Sequence, residues 1–332
     1  MELVLRFGIM GTANIARKAV IPAIKNSEHA KVVSVASGSG RAEAFAEEMG
    51  IERFHDSYEA MLDDDSIDAV YIPLPNTLHK KWTIEAARKG KHVLCEKPAA
   101  ITVEDAMEMV QACEDHGVTF MEAFMYQFHP QHDVVRDVIA SGEIGDVKHM
   151  RSTFSFFLGD RPENIRLNRK LGGGSIWDVG CYCIHSSRNI LGNEPTKVYV
   201  EGNVPAEIGV DLSAMGILTF ANGVTASFDC SFERQMSNTY EILGTKGSIK
   251  VPHAYRPDAP GASGIVQVIN SEGEVREETV DGEQYTLMVD HFAHCIATGE
   301  TPSYSGEATV NNLKAIEACY RSLDNNSPIE MT

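Results

Sequence analysis

The segment LVLRFGIMGTANIA, residues 3 to 16, decides the fold. An apolar, strand-like run from Leu3 to Met10 passes directly into GTANIA, residues 11 to 16, which opens a helix-like stretch. A dinucleotide-binding turn asks for G-x-G-x-x-G: glycine for the tight turn, then small residues where the cofactor and the helix come close. Gly11 keeps the first position, while Ala13 and Ala16 stand at the second and third. An ordinary strand–helix turn could read the same way. Its place after the first strand of the chain favours the nucleotide.

Working outward, the first 125 residues alternate between two periods. Strand-like runs occur at 3–10, 31–37, 68–74, 91–97 and 118–123, separated by helix-like segments such as RAEAFAEEMG and LHKKWTIEAARKG. Pro22 interrupts the first helix-like segment and leaves its register open. Strands alternating with helices predict a parallel sheet covered on both faces. Beyond residue 125 the texture changes. One helix-like stretch, HPQHDVVRDVIASG, is followed by long alternating runs with turn signals at FANGVTA and NSEGE, and two helices close the chain. The reading is α/β: a dinucleotide-binding domain over 1–125 and an α+β domain with an open, mainly antiparallel sheet over 126–332.

Composition narrows the function. The 332 residues carry 47 acidic against 29 basic side chains, a net charge of −18, which argues against a nucleic-acid partner. No apolar run approaches the ~20 residues that span a bilayer, so no membrane partner is expected. The chain opens without a basic-then-apolar leader, and its seven cysteines are odd in number and scattered; both point to a reducing cytoplasm.

Three places carry unusual residues. Where the second strand ends, an NAD site presents Asp or Glu to the ribose, but VASGSGR offers Ser37, Ser39 and Arg41 instead. Hydroxyls and a guanidinium suit a phosphate, so NADP(H) is favoured over NAD(H), although a plain Ser/Gly turn would look similar. IPLPNTLH and CEKP end the next two strands at the rim where α/β sheets bind ligands, and His79 could equally cap its own helix. Finally, GGGSIWDVGCYCIH, residues 172 to 185, reads as a glycine-led helix with Asp178 and Tyr182 four apart on one face and His185 nearby. Its glycines are expected to admit the substrate closely. Cys181 and Cys183 lack a second pair for zinc and read as packing, so no metal is expected.

CEKP, GTANIA, PLPNTLH, MEAFMYQFHPQ and GGGSIWDVGCY, in this order, resemble the glucose–fructose oxidoreductase/inositol dehydrogenase family, and within it the dihydrodiol and NADP-dependent xylose dehydrogenase branch. The resemblance implies a Rossmann domain, an open sheet that pairs subunits into a homodimer or homotetramer, and hydride transfer between a nicotinamide and a sugar-like alcohol or carbonyl. It implies a catalytic group of Lys97, Asp178 and Tyr182. Tyr182 would serve as acid/base, with the Lys97 ammonium lowering the ordinary tyrosine pKa of about 10 and Asp178 orienting a substrate hydroxyl or Lys97; in the main variant Lys97 is itself the proton donor. Together with the strand-end readings above, the expected cofactor residues are Gly11, Thr12, Ala13, Asn14, Ile15, Ser37, Arg41, Pro73, Leu74, Asn76, His79, Glu96 and Lys97, and the expected substrate residues are Gln127, Arg166 and His185. Gln127 stands where the branch often has arginine. Two other functions stay open: a cofactor-binding regulator without turnover, and a glycosidase that oxidises its substrate transiently.

Overall fold

The computed structural model describes residues 4–159, 161, 163–259 and 263–331. Six strands form the first sheet: β1 (Leu5–Met10), β2 (Ala30–Ala36), β3 (Arg53–His55), β4 (Ala69–Ile72), β5 (His92–Cys95) and β6 (Phe120–Glu122). All pair in parallel in the order β3-β2-β1-β4-β5-β6. This is the doubly wound Rossmann order, whose crevice lies between β1 and β4 where the winding reverses. Every residue of β4 is buried, as befits a sheet covered on both faces. Pro22 marks a real break. The helix there is a wide π turn, Ala16–Val20, followed by an α segment, Ile21–Asn26, that places proline in its first turn.

The second sheet has nine strands: β7 (Val147–Phe157), β8 (Pro195–Asn203), β9 (Ser213–Phe220), β10 (Thr225–Ser231), β11 (Glu233–Gly244), β12 (Gly247–Val251), β13 (Gly264–Asn270), β14 (Val275–Val280) and β15 (Ile329–Glu330). Its order is β14-β13-β12-β11-β7-β10-β9-β8-β15. Neighbours run antiparallel except β7 and β10, which are parallel. Along β9 burial alternates, so Ala214, Gly216 and Leu218 face inward while Met215 and Ile217 are exposed.

The chain forms two compact units. One gathers the residues up to Met125 with Tyr285–Val310; the other gathers Tyr126–Gln284 with the residues from Asn311 onward. Where the sequence suggests one boundary at 125/126, the first unit is thus built from two separate pieces. Phe292 meets Phe7 at 6.0 Å between ring centroids, and Ser27 donates to Asp290 at 2.5 Å.

Candidate active site

In the first unit a cleft of about 660 Å³ opens at the carboxyl ends of β1, β2 and β4. Its wall includes Gly11, Thr12, Ala13, Asn14, Ser37, Arg41, Pro73 and Leu74, eight of the residues expected there. Gly11 has φ 108°, and a Cβ on it would stand 3.1 Å from Leu74, so the position calls for glycine. Ser37 and Ser39 share a hydrogen bond of 2.9 Å, and Arg41 Nε donates to Ser39 Oγ at 2.9 Å. A guanidinium and two hydroxyls thus stand at the end of β2. The small turn and this donor set fit a phosphate-bearing dinucleotide. Ile15, Asn76, His79, Glu96 and Lys97 do not belong to the described wall.

Ile15 opens the π turn after β1, and the other four follow the ends of β4 and β5. His79 is fully buried as the first residue of the helix His79–Arg88. Its Nε2 is 2.7 Å from the Leu74 carbonyl oxygen, and its Nδ1 is 3.0 and 3.2 Å from those of Pro98 and Ala99. Burial lowers its pKa, and the three carbonyls oppose that only in part. Tyr71 donates to Glu96 Oε1 at 2.6 Å, and Lys97 N–H donates to Glu96 Oε2 at 3.2 Å. Ala99 N–H donates to Glu122 Oε1 at 2.8 Å. Burial raises the Glu122 carboxyl to about 7 against the pull of Ala99, Thr309 and Tyr304 toward the charged form.

In the second unit the glycine-led stretch turns out differently from expectation. A Cβ on Gly173 would sit 2.5 Å from the Arg166 carbonyl oxygen, and one on Gly174, at φ 129°, would sit 2.2 Å from Asp211 Oδ1. The space these glycines clear is filled by the protein's own chain, not kept for a substrate. Asp211 Oδ2 accepts from Ser175 Oγ and from Ile176 N–H, both at 2.7 Å, and Asp211 Oδ1 accepts from Tyr320 at 2.9 Å. Asp211 therefore caps the helix from a distant loop, and Ser175 does not cap it. The helix starts as a π turn, Ile176–Gly180, and continues as α over Cys181–Leu191.

That helix carries both expected groups. Asp178 pairs with Arg166 at 2.5 Å (Nε to Oδ2), so a cation already accompanies this carboxylate. Tyr182 is buried in an aromatic cage, with ring centroids 5.3 Å from Phe154, 5.6 Å from Tyr255 and 5.7 Å from Tyr126. The cage is tied in place: the Tyr126 hydroxyl bonds His185 Nδ1 at 2.5 Å and the Tyr255 hydroxyl bonds Ser186 Oγ at 2.8 Å. Burial keeps His185 neutral, well below the ordinary histidine range. Gln127 lies on the turn Met125–Phe128, and its amide nitrogen is buried without a partner among the described residues. All seven cysteines are buried and none is joined in a disulfide. Burial pushes the Cys183 thiol up to about 12, consistent with packing.

Residues 5–124 match an oxidoreductase family with an NAD-binding Rossmann fold, and residues 132–250 match the GFO/IDH/MocA C-terminal domain. The D-xylose 1-dehydrogenase (NADP(+)) 2 of Haloferax volcanii is 40% identical over 98% of this chain and 100% of its own length. The chain belongs to the GFO/IDH/MocA family. It is an NAD(P)-dependent oxidoreductase. The trans-1,2-dihydrobenzene-1,2-diol dehydrogenase of Mus musculus is 30% identical over 90% of each chain, so the branch expected from the motifs is the one represented. A 3-ketoreductase from Actinomadura kijaniata, in complex with NADP and TDP-benzene, superposes with a TM-score of 0.90 at 29% identity, covering 96% of this chain and 98% of that one.

For a GFO/IDH/MocA protein, the least legible parts of the site come from helices. Arg17, Phe45 and Tyr58 also line the nucleotide cleft. Arg17 pairs with Glu48 at 2.8 Å and lies 5.0 Å from the centre of the Phe45 ring, while Tyr58 packs edge-on against Trp82 at 4.8 Å. One faint sign was available for Tyr58: Ser57 caps a short helix beside the strand-end turn, accepting from Ala60 N–H. None of the described helices is long and apolar enough to cross a membrane.

Proposed function

We propose that this protein interconverts an alcohol and a carbonyl on a sugar, a polyol or a cyclic diol with NADP(H). The observation that carries this reading is the nucleotide cleft at the ends of β1, β2 and β4, with Lys97 just beyond the end of neighbouring β5. A bound nicotinamide supplies the hydride acceptor or donor. Tyr182 takes the hydroxyl proton as the C–H bond breaks and returns it in the reverse direction. Lys97 stabilises the tyrosinate by its charge. The cage of Tyr126, Phe154 and Tyr255 holds the Tyr182 ring, and the Arg166–Asp178 pair orients a substrate hydroxyl, with Gln127 and His185 farther from the chemistry.

NADP is the preferred cofactor in this reading because Ser37, Ser39 and Arg41 gather two hydroxyls and a guanidinium at the end of β2, a donor set that suits a phosphate. The Haloferax and Actinomadura relatives support NADP, and the Haloferax D-xylose dehydrogenase supports the sugar-like substrate. Subunits pair as a dimer or tetramer through the second sheet, where Phe157, Met215 and Ile217 are exposed, and seven thiols outside any disulfide suit the cytoplasm.

A spectrophotometric screen of sugars, polyols and dicarbonyls with NAD(H) and NADP(H) tests the reading. The expected result is NADP-linked turnover that Tyr182→Phe lowers by about 10²–10⁴-fold with nucleotide binding retained. Near-normal turnover by Tyr182→Phe would remove the tyrosine from the chemistry. Tight NADPH binding without turnover across the panel would favour the regulator instead.

A further inference from the structure

The polar backbone of the turn after β5 is held largely by side chains. The sheet ladder ends where Glu96 N–H donates to the Ile72 carbonyl at 3.1 Å. From there on, Lys97 N–H is taken by Glu96, Ala99 N–H by Glu122, and the Pro98 and Ala99 carbonyls by His79. His79 and Glu122 are 0% and 1% exposed. They come from different elements: His79 opens a helix and Glu122 is the last residue of β6. The other nitrogen of His79 reaches the carbonyl of Leu74, which lines the nucleotide cleft.

We propose that His79 and Glu122 are positioning residues that fix the Pro98–Ala99 backbone and thereby aim Lys97. The His79 ring lies between that turn and the Leu74 carbonyl of the cleft wall. The proposal rests on the catalytic reading of Lys97 given above. A packing role alone would ask only that both sites be filled. This arrangement asks for a ring N–H among the carbonyls at residue 79, which a neutral imidazole carries on one nitrogen, and for an oxygen acceptor at residue 122. A displacement of about 1 Å in a catalytic group can cost about 10²-fold in rate, so the turn need not unfold for the effect to appear.

The test compares His79→Ala, Glu122→Leu and Glu122→Gln with Lys97→Ala, using the best substrate from the screen. Measurements are kcat, KM, the pH profile of kcat, and the Kd for NADPH by fluorescence. His79→Ala and Glu122→Leu are expected to lower kcat about 10–10²-fold and to displace the pH profile. Glu122→Leu should change the NADPH Kd less than about threefold, whereas His79→Ala, which opens space behind Leu74 of the cleft wall, should weaken NADPH binding more than that. Glu122→Gln keeps an oxygen for the Ala99 amide and is expected to restore most of the rate. Amide exchange of the 95–101 peptide, followed by mass spectrometry, needs no substrate; it should quicken in Glu122→Leu and not in Glu122→Gln. If His79→Ala is insoluble, His79→Gln carries the test, with a roughly 3–10-fold loss and the same displaced profile. Folded variants with unchanged kcat and pH profile would overturn the proposal, as would an equal loss in Glu122→Gln and Glu122→Leu. If Lys97→Ala itself turns over normally, the catalytic reading fails first; if only Lys97→Ala is impaired, the positioning role alone is wrong.

Discussion

Replacing Glu122 with Gln should change how stability depends on pH more than it changes stability at any one acidic pH. In the folded protein burial raises this carboxyl from the ordinary 4.5 to about 7, so the folded state holds a proton that the unfolded chain gives up. A raised carboxyl stabilises the folded state in full below 4.5, and that contribution is lost as pH rises through about 7. At about 1.4 kcal/mol per pH unit, the wild type should lose about 3 kcal/mol through this one group between those limits. Gln has nearly the same shape and no proton to lose. Thermal melts of both proteins, taken from pH 4.5 to 8, should therefore converge at the acid end and separate as pH rises, with Glu122→Gln the more stable above neutrality. The gap should reach roughly 6–12 °C if the cooperative body is of ordinary domain size. Parallel curves across that range would refute the reasoning, because they would mean that the carboxyl titrates alike in the folded and unfolded chains.

Arg41→Ala removes the guanidinium beside Ser39, a charge-assisted contact of about 1.5–3 kcal/mol. Titrations should show NADPH binding weakened about 10–100-fold and NADH binding nearly unchanged, and an equal loss for both would contradict the assignment. Gly174→Ala forces a side chain into φ 129° and onto Asp211, which should cost about 3 kcal/mol or more in denaturant melts; an unchanged midpoint would contradict the close approach. Arg166→Ala removes the guanidinium that pairs with Asp178. It should raise KM for the sugar-like substrate about five- to thirty-fold, as expected for 1–2 kcal/mol, and a change confined to kcat would argue against an orienting role.

Much of the first sheet is legible because β1, β2, β4, β5 and β6 are apolar runs between helical periods. The edge strand β3, residues Arg53–His55, is not, since RFH is three residues long and shows no alternation of its own. The antiparallel meander is readable from its turns, whereas the parallel pairing of β7 with β10 joins residues such as His149 and Thr225, and no local pattern encodes it. The site divides along the same line. Gly11, Ser37 and Arg41 announce themselves at strand ends; Arg17 and Tyr58 reach the cleft from helix faces. Asp211 lies 35 positions from the amide of Ile176 that it caps, too far for a capping motif. The glycines before it were visible, but the reason for them was not: it lay in a neighbour supplied by the tertiary fold.

The two-piece construction of the first unit has a consequence for its birth on the ribosome. At about 5–20 residues per second, roughly ten to forty seconds separate the synthesis of β6 from that of Tyr304 and Thr309, which face Glu122. During that interval Phe7 lacks Phe292, and the carboxyl of Glu122 lacks the two hydroxyls that oppose its burial. The nucleotide-binding half begins first and finishes late, so a nascent chain stalled near residue 280 should be far more open to protease in this unit than the released protein.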